Sequence, residues 1–188
     1  NPIQPANAGG FDGIIARLSP NGRALEFSTY YGGTGDDLLG RVAVDPAGAI
    51  YVGVVTTSAD FPTVRPFQTS YGGGTRDGGV LKLSASGQSV VFSSYYGGSG
   101  DDGVFGIDVD GRGAILISGD TDSVDLPIQD AIQPTFGGGL SDLFAARVVP
   151  DGTALEYSTY LGGSDRDTTN HSAVDANGNL YLAFRSAS

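Results

Sequence analysis

Short apolar and aromatic runs recur along the chain between breaks marked by Gly, Asp and Pro. No segment holds the three-and-four spacing of a helical face long enough to form a helix. The first run, 13–19, ends at Pro20-Asn21-Gly22, and its counterparts lie at 78–84 and 143–149, the last ending at Pro150-Asp151-Gly152. Asn-Gly and Asp-Gly supply the positive φ angles of a tight hairpin, so each run is expected to turn back into a second strand. In the first copy that strand is 24–31, rich in aromatic and hydroxyl residues. A third strand is expected at 41–45 and a fourth at 49–55. They are joined by an Asp-x-x-Gly turn that recurs as Asp45 to Gly48, Asp110 to Gly113 and Asp175 to Gly178. A longer loop follows through Asp60-Phe61-Pro62-Thr63, or Asp125-Leu126-Pro127-Ile128, to the glycines at 72–74 and 137–139.

These features repeat every 65 residues, as Asp12, Asp77 and Asp142 show. The same interval relates Arg17, Lys82 and Arg147, and it relates Gly22, Gly87 and Gly152. From Asp12 onward no gap is needed; near the start, Gln4 is out of step by one with Gln68 and Gln133. The chain therefore reads as one segment, 1–188, of three units at about 1–58, 59–123 and 124–188. Four short strands per unit with Gly-marked turns describe a β-propeller blade, a sheet that buries its faces by stacking on neighbours. Propellers close with about four to eight blades, so an open arc or part of a larger propeller is expected, its ends completed by more repeats or by other copies. Opening on Asn1-Pro2 without Met, the chain reads as an internal or processed piece of something longer.

Composition agrees. Nineteen Asp stand against two Glu and one Lys, and Gly is abundant at 31 residues, the usage of turns rather than of helix faces. A net charge of −11 disfavours nucleic acid and anionic membrane surfaces, and it suits cations. With no Cys there is no disulfide, thiol nucleophile or thiolate metal site. No apolar run is long enough for a membrane-spanning helix.

The recurring motifs resemble the SBBP-type bacterial β-propeller repeat family. The matching residues are 157–163 (Tyr-Ser-Thr-Tyr-Leu-Gly-Gly), 97–102 (Gly-Gly-Ser-Gly-Asp-Asp), 174–181, Asp60-Phe61-Pro62-Thr63 and 138–147. The resemblance covers essentially the whole chain. It implies a large bacterial secreted or surface protein, extracellular or periplasmic. The third copy departs from the pattern, with Asp165-Arg166-Asp167 where the others have Gly-Asp-Asp.

Candidate chemistry is sparse. Asp36, Asp37, Asp101 and Asp102 form acidic pairs that could supply calcium ligands, since hard cations take carboxylate oxygens, or could cap turns after the Gly-Gly bend. Asp120 and Asp122, with Asp125, form a cluster found only in the second copy and are further candidate calcium ligands. The stretch Asp108-x-Asp110-Gly111-x-Gly113 lacks the full ligand pattern of a calcium loop and reads as a hairpin turn. His171 is the only His and has no motif around it; with Thr168, Thr169 and Asn170 it could form a polar patch, and it reads as structural. The glycine stretches lack the Lys-Ser/Thr of a phosphate loop. Tyr30, Tyr31, Tyr95, Tyr96 and Tyr160 could stack on carbohydrate, but core packing is expected, with the two tyrosines of a pair on opposite faces.

The function expected is a non-enzymatic scaffold or interaction module whose partners are proteins or further copies of the repeat. One alternative is a subunit of a surface assembly joined through open edges. The other is a carbohydrate-active enzyme, for which Asp165, Arg166, Asp167 and His171 are the only candidate residues.

Overall fold

The computed structural model describes the backbone of residues 1–188 and every side chain except those of Thr169 and Asn170. Twelve strands account for its regular structure: β1 (Gly13–Leu18), β2 (Leu25–Tyr31), β3 (Asp37–Val44), β4 (Ile50–Thr56), β5 (Asp77–Leu83), β6 (Val90–Tyr96), β7 (Asp102–Val109), β8 (Ile115–Thr121), β9 (Asp142–Val148), β10 (Leu155–Leu161), β11 (Asp167–Val174) and β12 (Leu180–Ser186). All pairings between them are antiparallel. Two four-stranded sheets, β3-β4-β5-β6 and β7-β8-β9-β10, lie between two-stranded ones, β1-β2 and β11-β12.

Each four-stranded sheet crosses from one 65-residue unit into the next. It takes the third and fourth strands of one unit and the first and second of its successor. The joining loop makes this geometry. After β4 the chain crosses the sheet end, where Val64 pairs with Ser93 beside β6, and it returns as β5 next to β4. Gln129 pairs with Ser158 in the same way one unit later.

The third strand starts four residues earlier than the sequence pattern suggests, at Asp37 rather than 41. A β-bulge between Leu39 and Val42 inserts one extra residue opposite β4 and breaks the alternation, which hides the strand's first half. The same bulge recurs between Val104 and Gly106, and between Thr169 and His171. The Asp-x-x-Gly hairpins form as expected. Asp45 Oδ1 accepts from Ala49 N at 2.9 Å, and Gly48 sits at φ +87°, a region that favours glycine.

The sheets pack face to face through two apolar layers. One contains Ile15, Tyr31, Val52, Phe61, Leu81 and Tyr95; the other contains Tyr51, Phe92, Tyr96, Ile107, Phe144 and Tyr160. Adjacent tyrosines such as Tyr95 and Tyr96 thus enter opposite layers, as alternation along a strand requires. Phe61, from the Asp-Phe-Pro-Thr loop, is edge-on to both Tyr31 and Tyr95, with ring centroids 5.4 and 5.8 Å away. Consecutive units are also bonded directly: the Tyr31 hydroxyl donates to Pro62 O at 2.6 Å, and the Tyr96 hydroxyl pairs with Ser158 Oγ.

Candidate functional site

The half-sheets at the two ends carry the most unusual surface. In β4–β5 and β8–β9 the middle of a sheet is closed by full strand pairing, as in Ile50↔Leu83, Tyr51↔Lys82 and Val54↔Gly79. On β1 and β12 the corresponding edges are open. Tyr181 is 60% exposed, whereas its counterparts Tyr51 and Leu116 are fully buried. Leu18 is 62% exposed against 0% for Leu83. Ile14 and Phe184 are likewise exposed, while Phe144 and Val54 at the matching positions are buried. An apolar groove runs beside each edge. Ile14, Ala16, Leu39, Val42 and Ile50 line one; Ala145, Tyr157, Leu161, Leu180 and Leu182 line part of the other. Unpaired edge N–H and C=O groups beside exposed apolar side chains form a surface suited to accepting another strand.

The two edges match each other. Carrying the observed β4–β5 register forward by the repeat interval places Leu180 opposite Leu18, Tyr181 opposite Arg17 and Phe184 opposite Ile14. Side-chain chemistry follows the same equivalence. Lys82 Nζ lies 4.7 Å from the centre of the Tyr51 ring, and Arg17 and Tyr181 occupy the corresponding positions on the open edges. Arg147 pairs with Asp110 in the last complete sheet, and the corresponding residues are Arg17 and Asp175.

The adjacent acidic residues read from the sequence separate in space. Asp36 is exposed and holds a turn: its Oδ1 accepts from Phe11 N at 2.9 Å, and its N–H donates to Thr57 Oγ1 at 2.7 Å. Asp101 likewise accepts from Thr75 N and Oγ1. Asp122 occupies the position of Thr57 one unit on and accepts from Asp101 N. Asp101, Asp120 and Asp122 line one groove, but Arg76 and Arg166 line it too. No group of three or more His, Cys, Asp or Glu is placed to hold a metal together among the described residues. Asp37 and Asp102 are buried instead, Asp37 beside Asp12 and Asp102 beside Asp77.

The third copy clarifies this division. The residue lost there is the turn-holding Asp, replaced by Arg166, whereas Asp167 persists at the buried position. Asp125, near the second-copy cluster, accepts from Ser99 N and Oγ at 2.7 and 2.9 Å; these bonds hold its carboxyl below the usual range.

Strands β3, β7 and β11 converge and gather a polar cluster that the sequence did not announce. Arg41 donates to Ser172 O at 3.1 Å and, through Nη2, to His171 Nδ1 at 2.6 Å. Because a guanidinium only donates, His171 Nδ1 is the acceptor. Ser172 Oγ donates to Asp108 Oδ2 at 3.1 Å. Ser172 is bonded to the carboxylate and His171 to the arginine, so the described contacts do not form a Ser-His relay. Positions 41, 106 and 171 are repeat equivalents, and only the 65-residue alignment could have signalled that Arg41 and His171 meet. The expected patch with Thr169 and Asn170 lies outside the described residues. Asp165 Oδ1 accepts from its neighbour Arg166 N, and Asp167 is buried away from solvent. Tyr31, Tyr95, Tyr96 and Tyr160 are buried in the layers, so none presents a ring to solvent for stacking.

Comparison of the sequence with family models gave no match, and comparison with curated proteins gave none either. Among the described residues, no helix is long and apolar enough to cross a membrane. The class that the structure defines is an all-β repeat protein of antiparallel sheets.

Proposed function

We propose that the chain is a β-propeller segment acting as a non-enzymatic scaffold and interaction module of a larger bacterial secreted or surface protein. Its open half-blades are completed by strands of the same repeat type. The observation that carries this reading is the match between the β12 edge and the β1 edge, in register and in side-chain chemistry. A β12-type strand laid against β1 would cover Ile14 and Leu18 and would fill the groove over Leu39 and Val42. Strand addition of this kind gives affinity through main-chain hydrogen bonds and specificity through alternate side chains. The motif resemblance supports a bacterial surface setting, and the acidic, Cys-free composition is compatible with it.

Light scattering of the purified full chain across a concentration series tests the reading. Head-to-tail association is expected to increase with concentration. It should weaken in Ile14→Lys and in Phe184→Lys, each of which places a charge on one edge. A folded monomer at every concentration, with both edges bare, would overturn pairing through these edges.

A further inference from the structure

Each unit places two Asp carboxylates, 25 residues apart in sequence, around one glycine of the Gly-Gly bend: Asp12 and Asp37 at Gly32, Asp77 and Asp102 at Gly97, and Asp142 and Asp167 at Gly162. A Cβ on Gly32 would lie 2.6 Å from both Asp12 Oδ1 and Asp37 Oδ2, so these two oxygens are at most 5.2 Å apart. At Gly162 the distances are 2.4 Å to Asp142 Oδ1 and 2.8 Å to Asp167 Oδ2. At Gly97 they are 3.0 Å to Asp77 Oδ1 and 2.8 Å to Asp102 Oδ2. A side chain here would fall among the carboxylate oxygens, and glycine keeps that space open.

The burial is severe. Asp77, Asp102, Asp142 and Asp167 are fully buried. In each of the six Asp residues Oδ2 is satisfied. Asp102 Oδ2, for example, accepts from Gly98 N and Ser123 Oγ at 2.7 Å each, and Asp142 Oδ2 accepts from Gly137 N at 2.6 Å. In all six, Oδ1 is buried without a hydrogen-bond partner. The ion pairs among the described residues, Arg17 with Glu26 and Arg147 with Asp110 and Glu156, leave these carboxylates without a cationic side chain.

We propose that each Asp pair binds a hard divalent cation of the calcium class, giving one site per repeat between the Gly-Gly bend and the loop before the next sheet strand. Two buried carboxylates with orphaned oxygens are costly without a counter-charge. Calcium takes carboxylate oxygens at about 2.3–2.6 Å in flexible geometry, so the orphaned Oδ1 of the first Asp and the hydrogen-bonded Oδ2 of the second, which meet at the glycine, can be ligands of one ion about 5 Å apart. The three sites are alike because the residues that form them keep the repeat interval. They differ from the exposed pairings of Asp36 and Asp101, which close turns.

The full chain, stripped with EDTA, is titrated with CaCl₂ by calorimetry and melted with and without calcium. Calcium is expected to raise the melting temperature and to bind with a stoichiometry approaching three per chain. Asp77→Asn keeps a side-chain acceptor for Gly72 N and should lower the stoichiometry by one. Asp36→Asn, one residue from Asp37 but in the exposed turn, should leave it unchanged. Asp142→Asn makes the same test in another repeat should the first variant fail to fold. No melting shift at millimolar calcium would overturn the proposal. So would full stoichiometry in the Asn variant that folds, or an equal loss in Asp36→Asn.

Discussion

Replacing Arg147 with Met tests how the sheets are tied at their ends. Arg147 Nη2 reaches Asp110 Oδ2 at 2.5 Å, with the Asp110 side chain only 3% exposed, and its Nε reaches the exposed Glu156. Asp110 Oδ1 is separately satisfied by Arg112 N at 2.8 Å and Ala114 N at 2.9 Å. Met replaces the aliphatic stem of Arg147 and has no donor, so the substitution strands Asp110 Oδ2 inside the structure. A hydrogen bond to a charged group contributes about 1.5–3 kcal/mol, and a half-exposed ion pair such as that to Glu156 adds roughly 0–1 kcal/mol. The expected loss is therefore about 1.5–4 kcal/mol at neutral pH, read from urea unfolding followed by circular dichroism.

The pH dependence supplies the second readout. Burial acts to raise the Asp110 carboxyl, but the Arg112 N–H, Arg147 and the Ala114 N–H outweigh it and hold the carboxyl below its ordinary value. A depressed carboxyl contributes stability that is present above the unfolded-state value and lost as pH falls through the folded one. Removing Arg147 removes part of that contribution, so the penalty should shrink between about pH 7 and pH 3. Arg147→Lys should fall between wild type and Met, because Lys keeps the charge without the planar fork. A penalty for the Met variant below about 0.5 kcal/mol, within the range of ordinary surface changes, would refute the reasoning. An equal penalty at both pH values would refute it as well.

Other positions give separate checks. Gly22 and Gly152 share a left-handed φ near +70°, at +68° and +77°, but only Gly152 would place a Cβ against the Phe92 ring, 2.3 Å away. Alanine at Gly22 should cost about 1 kcal/mol of backbone strain, and at Gly152 about 1–3 kcal/mol more from overpacking, both read from denaturation midpoints. Tyr96→Phe leaves the buried Ser158 hydroxyl without its partner and should cost about 1–2 kcal/mol by the same measurement. Tyr31→Phe should cost less, since Ser93 Oγ still donates to Pro62 O. In dilute solution, amide exchange should be slowest in the central strands β4, β5, β8 and β9 and fastest in the two-stranded ends, a pattern visible by hydrogen exchange.

Much of the architecture was legible because turn chemistry is local. Asn21-Gly22, Asp151-Gly152 and the Asp-x-x-Gly turns each require particular residues, and the hairpins stand where those residues predict. The start of β3 was not legible, since the bulge at Leu39 to Val42 interrupts the period-two pattern on which strand recognition depends. The carboxylate pairs were hidden for a different reason. Asp36 and Asp37 are adjacent in sequence and point to opposite environments, while the true neighbour of Asp37 is Asp12, brought there by Asp37 N bonding to Phe11 O. The signal was present in the interval from Asp12 to Asp77 to Asp142, and in the persistence of Asp167 where the rest of the Gly-Asp-Asp motif is lost. A buried contact 25 residues away leaves no trace in local composition, so only the repeat could have revealed it.

The offset between sequence unit and sheet has a bearing on how such chains change length. Because each four-stranded sheet is shared by two units, inserting or deleting one whole period alters the number of layers but not the strand type found at either two-stranded end. One end still presents the first and second strands of a unit, and the other still presents the third and fourth. The number of stacked sheets can therefore vary while the two edge surfaces stay constant, in the way that rods of different length share one thread.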